Sequence, residues 1–379
     1  MKKKETGKRA VAAKSRPDRL SPLLSEVRDL ITSARLSAVS VVNTLQVMTN
    51  FQIGRRIVEH EQKGEKRAGY GDEMVKVLSI RLTEEFGRGF SVTNLQLMRK
   101  FFMENGFRIQ QQPTVKFAKP EIGQRPIGVF RVSATHFQNQ PFTLSWTHYV
   151  LLLTIKDLDE RKFYEIEATK EGWSVPELKR QKASALYERL ALSRDKEGVK
   201  RLAIEGQVIT KPEDLLKEPY VLEFLGLNEK AGYSESDLES AIIDHLEHFL
   251  LELGKGFLFE ARQRRFTFDE DHYFVDLVFY NRLLRCYVLL DLKLDKLTHQ
   301  DLGQMQMYVN YYDREIKLPE ENPTIGILLC QRKKQTVVEL TLPKGANIHA
   351  REYQLYLPSK ELLQSKLIEW TREEEERRA

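Results

Sequence analysis

The chain has 379 residues, 41% of them apolar and 30% charged, with a formal net charge of +5 at pH 7. That length supports two or three cores, since domains commonly run to about 100–200 residues, and the apolar share is that of a globular protein. No apolar run approaches the roughly 18 residues that a bilayer span needs, so a membrane partner is not expected. The excess of positive charge permits a polyanion partner without requiring one.

The first twenty residues carry Lys2, Lys3, Lys4, Lys8, Arg9, Lys14, Arg16 and Arg19 against Glu5 and Asp18. Residues 1–20 read as a disordered basic arm, either a nucleic-acid contact or a solvated tail. No secretory leader is readable, because "AVAA" is short and runs into "KSRPDR". Cys286 and Cys330 sit in strand-like apolar runs and make no zinc site by themselves. They read as buried free thiols, and a cytoplasmic location is expected.

Residues 21–192 read as a helical N-terminal domain. Apolar residues recur at three- and four-residue intervals from Ser21 to His60, as one buried helical face requires. A second helix, "EMVKVLSIRLTEEF", runs into the glycine turn "GRGFS", and Ser91 is placed to cap the helix "VTNLQLMRKFF". Helix, glycine turn and helix outline a helix-turn-helix or winged-helix-like unit, with Thr93, Asn94, Gln96 and Lys100 as DNA-facing candidates. Two packed helices of a plain bundle fit the same pattern. Near 105–143 the chain turns rich in Gln and Pro and reads as an insertion. Helices resume at "LSWTHYVLLLTI" and at "WSVPELKRQKASALYERL". The latter is opened by Ser174 with Glu177 three residues on and Pro176 in the first turn.

A polar connector, 193–235, with one short helix around "PEDLLKEPYVLEFLGL", leads to a second domain over 236–358. There a helix from Ser236 to Gly254 precedes three strand-like runs, a helix capped by Thr298, and the strand "NPTIGILLC". The order αβββαβ predicts an α/β core, so the chain is α+β overall. Residues 359–379 read as a charged C-terminal helix and tail.

The chemistry concentrates where charge interrupts apolar strands. Asp276 breaks "YFVDLVFY", and Asp291 and Lys293 break "RCYVLLDLKL". Strand alternation puts Asp291 and Lys293 on one face and Leu290, Leu292 and Leu294 on the other. The short connection "NRLLR" lets a hairpin bring Asp276 beside Asp291. Two close carboxylates repel unless a cation holds both ionised, and oxygen ligands suit Mg2+ or Mn2+. Lys293 would then orient a water or offset charge on a phosphodiester. Gln304 and Tyr308 share a face of the following helix. A surface or structural ion pair fits the same spacing. Arg262, Arg264 and Arg265 are phosphate-binding candidates or a solvated strand edge. His245, His248, His272 and His299 have no metal-ligand spacing, and no G-x-x-x-x-G-K-[ST] segment is present.

The element order, Asp276, the Asp291-Leu292-Lys293 triplet and Gln304-x-x-x-Tyr308 resemble the PD-(D/E)XK nuclease superfamily. Stretches in both halves, among them "RAGYGDEMVKVLSIRLTEEFGRGFSVTNLQLMRKFF" and "FVDLVFYNRLLRCYVLLDLKL", resemble the bacterial YhcG-like family (domain of unknown function 1016) with its helical N-terminal domain. The resemblance implies a restriction-endonuclease-like core and metal-dependent cleavage of DNA, with RNA not excluded. It implies Asp276 and Asp291 as metal ligands, Lys293 as the catalytic lysine, and Gln304 and Tyr308 as its support. Glu239 matches the acidic position of the first core helix, with Glu247 a competitor. Asp291 stands where relatives usually have Glu. Restriction-modification or mobile-element partners are implied, and a homodimer would fit cleavage of both strands.

Overall fold

The computed structural model describes residues 21–63, 70–110, 142–194, 196–227, 232–268 and 270–378. The basic arm and most of the Gln/Pro insertion, 111–141, lie outside the described residues. The chain divides into two compact units, Met1–Tyr149 and Val150–Ala379.

In the first unit, α1 (Ser21–Lys63), α2 (Tyr70–Phe86) and α3 (Val92–Gln110) precede α4 (Trp146–Leu152), which crosses into the second. Ser91 caps α3 as expected, its hydroxyl accepting from the Asn94 amide at 3.3 Å. α3 runs on to Gln110, so the start of the expected insertion is helix. The core is aromatic, with Phe51, Phe101, Phe142 and Tyr149 in mutual edge and tilted contact at centroid distances of 4.9–6.1 Å. Gly54 lets α1 and α3 touch backbone to backbone, because a Cβ there would lie 2.0 Å from the Met98 carbonyl oxygen.

The second unit begins with four helices: α5 (Leu158–Lys170), α6 (Val175–Ala183), α7 (Leu186–Leu192) and α8 (Lys196–Glu205). Ser174 caps α6 through the Glu177 amide at 3.3 Å, with Pro176 in its first turn. The sequence grouped α5–α7 with the N-terminal helices, whereas here they pack in the unit that holds the sheet. The connector, expected to be polar with one short helix, contains α8, two 3-10 turns and the edge strand β1 (Tyr220–Val221).

Six strands form one mixed sheet in the order β1-β6-β5-β4-β3-β2. β2 (Phe257–Phe268), β3 (Asp271–Asn281) and β4 (Cys286–Lys296) are antiparallel neighbours. β4, β5 (Ile325–Arg332) and β6 (Ile348–Gln354) run parallel. One face packs on α9 (Glu235–Asp244) and α10 (Leu246–Leu253) through Leu277, Phe279, Leu290, Leu292 and Ile327. The other packs on α11 (His299–Tyr311) through Val278, Leu289 and Leu328, with α12 (Gln335–Thr341) alongside. The alternation of Leu290 and Leu292 against Leu289 is the period-two pattern of a strand buried on both faces. Gly326 on β5 has no room for a side chain, since a Cβ would meet Met305 Cγ at 2.7 Å and Val309 Cγ2 at 3.0 Å. α11 therefore rests directly on the sheet.

The αβββαβ order holds, with β1, α12 and β6 added to it. The expected helix from Ser236 is capped two residues earlier, by Ser234 with Asp237, and it breaks at His245. Ser236 and Glu239 have capping-box spacing too, but the Glu239 carboxylate is engaged on β2. Thr298 and Asp301 form the expected capping box of α11. Cys286 and Cys330 are free and buried, and burial pushes both thiols up to about 12.

The C-terminal helix α13 (Lys360–Arg378) is held by charge as well as by Leu363. Lys360 donates to Glu160 at 2.5 Å and lies 3.4 Å from Glu188, both buried carboxylates. Lys360→Met leaves the two glutamates facing each other without a cation. A loss of about 2 kcal/mol is expected in urea unfolding, against less than about 0.5 for Lys366→Met on the exposed side of the same helix.

Candidate functional site

The backbone ladder between β3 and β4 ends at Leu277 and Leu290. Beyond it, carboxylates take over the backbone amides. Asp276 Oδ2 accepts from the Leu292 amide at 2.8 Å, and Asp291 Oδ1 accepts from the Asp276 amide at 3.3 Å. Each aspartate thus satisfies an amide of, or beside, the other, and the pair is fixed where the strands part. The sequence-based hairpin does bring Asp276 and Asp291 together. Lys293 lies on the Asp291 face as alternation requires, but its ammonium lies 3.5 Å from Glu235 Oε2 at the first turn of α9.

Burial dominates the electrostatics. Asp291 is 3% exposed, and burial, reinforced by the neighbouring Asp276 charge, pushes its carboxyl up to about 7. Burial raises Asp276 as well, against the opposing pull of the Leu292 amide, Lys293 and Gln263. Burial alone would lower the Lys293 ammonium. Asp291, Glu235 and Asp276 outweigh it and hold the group above its ordinary value.

Gln263 and Glu235 were missed in the sequence. Gln263 sits on β2 with φ 48°, in the left-handed region, where the ladder to β3 skips a pair. From there its amide donates to Glu239 Oε2 at 2.5 Å and to Asp276 Oδ1 at 3.0 Å. Glu239, 4% exposed, also accepts from Arg262 Nε, and Arg262 reaches Ser240 Oγ at 3.0 Å. The structure therefore brings Glu239, Gln263, Asp276 and Asp291 into one chain of contacts. Glu247 is exposed on α10. A polar run such as "RQRR" gives no local signal that one member will reach Glu239 and Asp276; the signal is a left-handed residue opposite Asp276.

On α11, Gln304 donates to the Tyr308 hydroxyl. Tyr308 is buried, and burial, with Asp291 and Asp276 adding to it, pushes the phenol up to about 12. Of the other arginines, Arg265 contacts His272 at 2.9 Å, and Arg264 is exposed. In the first unit Thr93, Gln96 and Lys100 are exposed on α3. Asn94 is engaged at both ends of its amide, donating to the Gly89 carbonyl at 2.5 Å and accepting from Trp146 Nε1 at 2.9 Å. That pins the glycine turn to α4. No helix among the described residues is long and apolar enough to cross a membrane.

Residues 213–368 match the model of the YhcG PDDEXK nuclease domain, and residues 26–189 match the DUF1016 N-terminal domain. The chain is 42% identical over 344 residues to "Putative nuclease YhcG" of Escherichia coli (strain K12), covering 89% of this chain and 91% of the relative. Two solved structures overlap part of the chain. A repair endonuclease from Pyrococcus abyssi shares 18% identity over 35% of this chain and 50% of its own, with a TM-score of 0.24. EndoMS in a complex with double-stranded DNA shares 15% over 35% of this chain and 51% of its own, also at 0.24. The aspartate pair and Lys293 lie within a segment matched by a PDDEXK nuclease domain, behind a matched DUF1016 domain, and the chain belongs to the YhcG family of nucleases.

Proposed function

We propose that the chain is a Mg2+- or Mn2+-dependent nuclease that hydrolyses phosphodiester bonds in DNA, with the first unit binding DNA or a partner protein. The observation that carries the reading is the Asp276–Asp291 pair. Asp291 is buried with Asp276 half-buried beside it, and burial raises both, the Asp276 charge adding to it at Asp291 and the Glu239 charge at Asp276. A divalent cation relieves that conflict. Among the described residues no three His, Cys, Asp or Glu are arranged to hold a metal. Two carboxylates completed by water and substrate phosphate are nonetheless a common Mg2+ donor set, and the oxygens present fit it.

Asp276 and Asp291 would hold the ion, which supplies an activated water and draws charge from the scissile phosphate. Lys293 carries its proton throughout and, once released from Glu235, offers N–H donors to the water or to a phosphate oxygen. Gln263 fixes the Asp276 carboxylate, and Arg262 holds Glu239. Tyr308 and Gln304 close the α11 side. Arg264 and Arg265, farther along β2, are candidate phosphate contacts, and Thr93, Gln96 and Lys100 are the contacts offered by the first unit.

Cleavage of plasmid, linear and branched DNA, and of RNA, with Mg2+ or Mn2+ tests the reading. The rival is a nuclease fold kept as a DNA-binding scaffold. It draws on the short Asp291, where relatives usually have Glu, and on the engagement of both aspartates with backbone amides. DNA binding without Mn2+ uptake in calorimetry would establish the rival.

Gln263→Met keeps the side chain's length and removes its N–H donors. Loss of a ligand's supporting hydrogen bond commonly costs about 10–100-fold in metal affinity or activity. A drop of about tenfold is expected in Mn2+ affinity and in kcat, with KM for DNA unchanged. Because Gln263 acts between Glu239 and Asp276, Gln263→Met and Glu239→Gln should be non-additive. Additive effects would show that the bridge is incidental.

A further inference from the structure

The first 23 residues of α1 are exposed wherever their side chains are described, except where Val41 and Asn43 become half-buried. Their exposure is not that of a polar helix. Leu24, Ile31, Ala38 and Leu45 fall at every seventh residue, with Val27, Ala34 and Val41 between them. Spaced alternately by three and four, they form one stripe over three heptads that no charged residue interrupts. Leu24 is 50% exposed, Ile31 48% and Val42, at the stripe's edge, 63%. The face that packs on α3 begins at Thr44 and runs through Val47 and Phe51, turned away from the stripe. Among the described residues nothing covers it. Most helical stability in proteins comes from packing of an apolar face, and this stripe is larger than scattered surface residues explain.

We propose that this stripe is the seam of a parallel, in-register coiled coil with a second copy of the chain. The flanking residues set the orientation. Arg28 and Arg35 flank the stripe on one side and Leu23 and Leu30 on the other. In a parallel, in-register pair the flanks cross over, so each arginine lies along the other copy's leucine with its charged head in water. An antiparallel pair sets the arginine flank against itself. A second copy supplies the same seven-residue phase in register. Ala34 and Ala38 at the centre let the two backbones approach closely, and the two-fold covers both stripes at once.

Light scattering on the full chain at micromolar concentration should give twice the chain mass. Ile31→Asp puts a charge in the seam and is expected to weaken association by about a hundredfold, while Ser33→Asp, outside the seam, leaves it unchanged. Ile31→Cys and Ala38→Cys, made singly, should each cross-link to their own counterpart on mild oxidation. An antiparallel pair can bring at most one of them together. A monomeric wild type overturns the proposal. If Ile31→Asp then also unfolds the first unit, the stripe is covered by the chain's own residues 111–141. A dimer that Ile31→Asp does not weaken, or in which only one cysteine cross-links, overturns it equally.

Discussion

Asp291→Asn is expected to abolish cleavage and to make the protein more stable. The amide keeps the volume of the carboxylate and its acceptor for the Asp276 amide at 3.3 Å. It cannot bind a cation as an anion, so kcat/KM should fall by at least about a thousandfold, or about 4 kcal/mol of transition-state stabilisation. The stability gain follows from proton linkage. Burial lifts the Asp291 carboxyl from its ordinary 3.8 to about 7. Between those values the folded chain binds the proton more tightly than the unfolded one, so wild-type stability falls as pH rises from about 4 to 7. Above that window the ionised pair costs on the order of 4 kcal/mol, at 1.36 kcal/mol per unit. Asn is neutral throughout and avoids most of the cost. Thermal unfolding at pH 4 and pH 8 should show the two proteins alike at the lower pH and the variant ahead at the higher. Saturating Mn2+ should close the gap by stabilising only the wild type. A variant that cleaves DNA at the wild-type rate, or that is less stable at pH 8, would remove Asp291 from the site.

Arg189→Met is expected to cost about 3–5 kcal/mol of stability, a large part of the roughly 5–15 kcal/mol a domain has. Arg189 and Glu252 are fully buried and paired, tying α7 to α10. The guanidinium also donates to the Ser184 carbonyl at 2.8 Å and to the Pro219 carbonyl at 3.1 Å, while Glu252 accepts from the Val221 amide at 2.9 Å. One ion pair thus holds β1, the edge of the sheet. Without Arg189, Glu252 is left with Lys217, whose own ammonium burial lowers to about 8. The double variant Arg189→Met/Glu252→Gln should recover part of the loss, because the stranded charge is then gone. Urea unfolding of the full chain reads both. A single-variant loss below about 1 kcal/mol, or a double variant no better than the single, would show the pair to be dispensable.

These two sites differ in how they could be read. Asp276, Asp291 and Lys293 were legible because each interrupts a strand whose other residues are apolar. The caps Ser91, Ser174 and Thr298 were legible because capping is a contact between residues three apart. Glu252 was not, since a glutamate in "FLLELG" reads as the polar face of a helix and its partner lies 63 positions away in the chain. β1 is two residues long and held by pairing to β6, so no local pattern announces it. Ser234 and Ser236 each begin an equally good capping box. What chooses between them is the demand of Gln263 and Arg262 on Glu239, a contact made only once β2 is in place. Residues governed by their neighbours in sequence could be placed, and those governed by the fold could not.

Gly326 has a reach beyond its own strand. Met305 and Val309, which press on it, belong to the same helix as Gln304 and Tyr308. The thickness of one missing methyl group therefore sets how far the glutamine and the tyrosine stand from the aspartates. The position works as a spacer gauge: Gly326→Ala would lift α11 without touching any polar group, detuning the site mechanically and leaving its chemistry in place. Sensitivity to volume should accordingly run deepest behind the sheet, at a residue that no inventory of charged or polar groups would select.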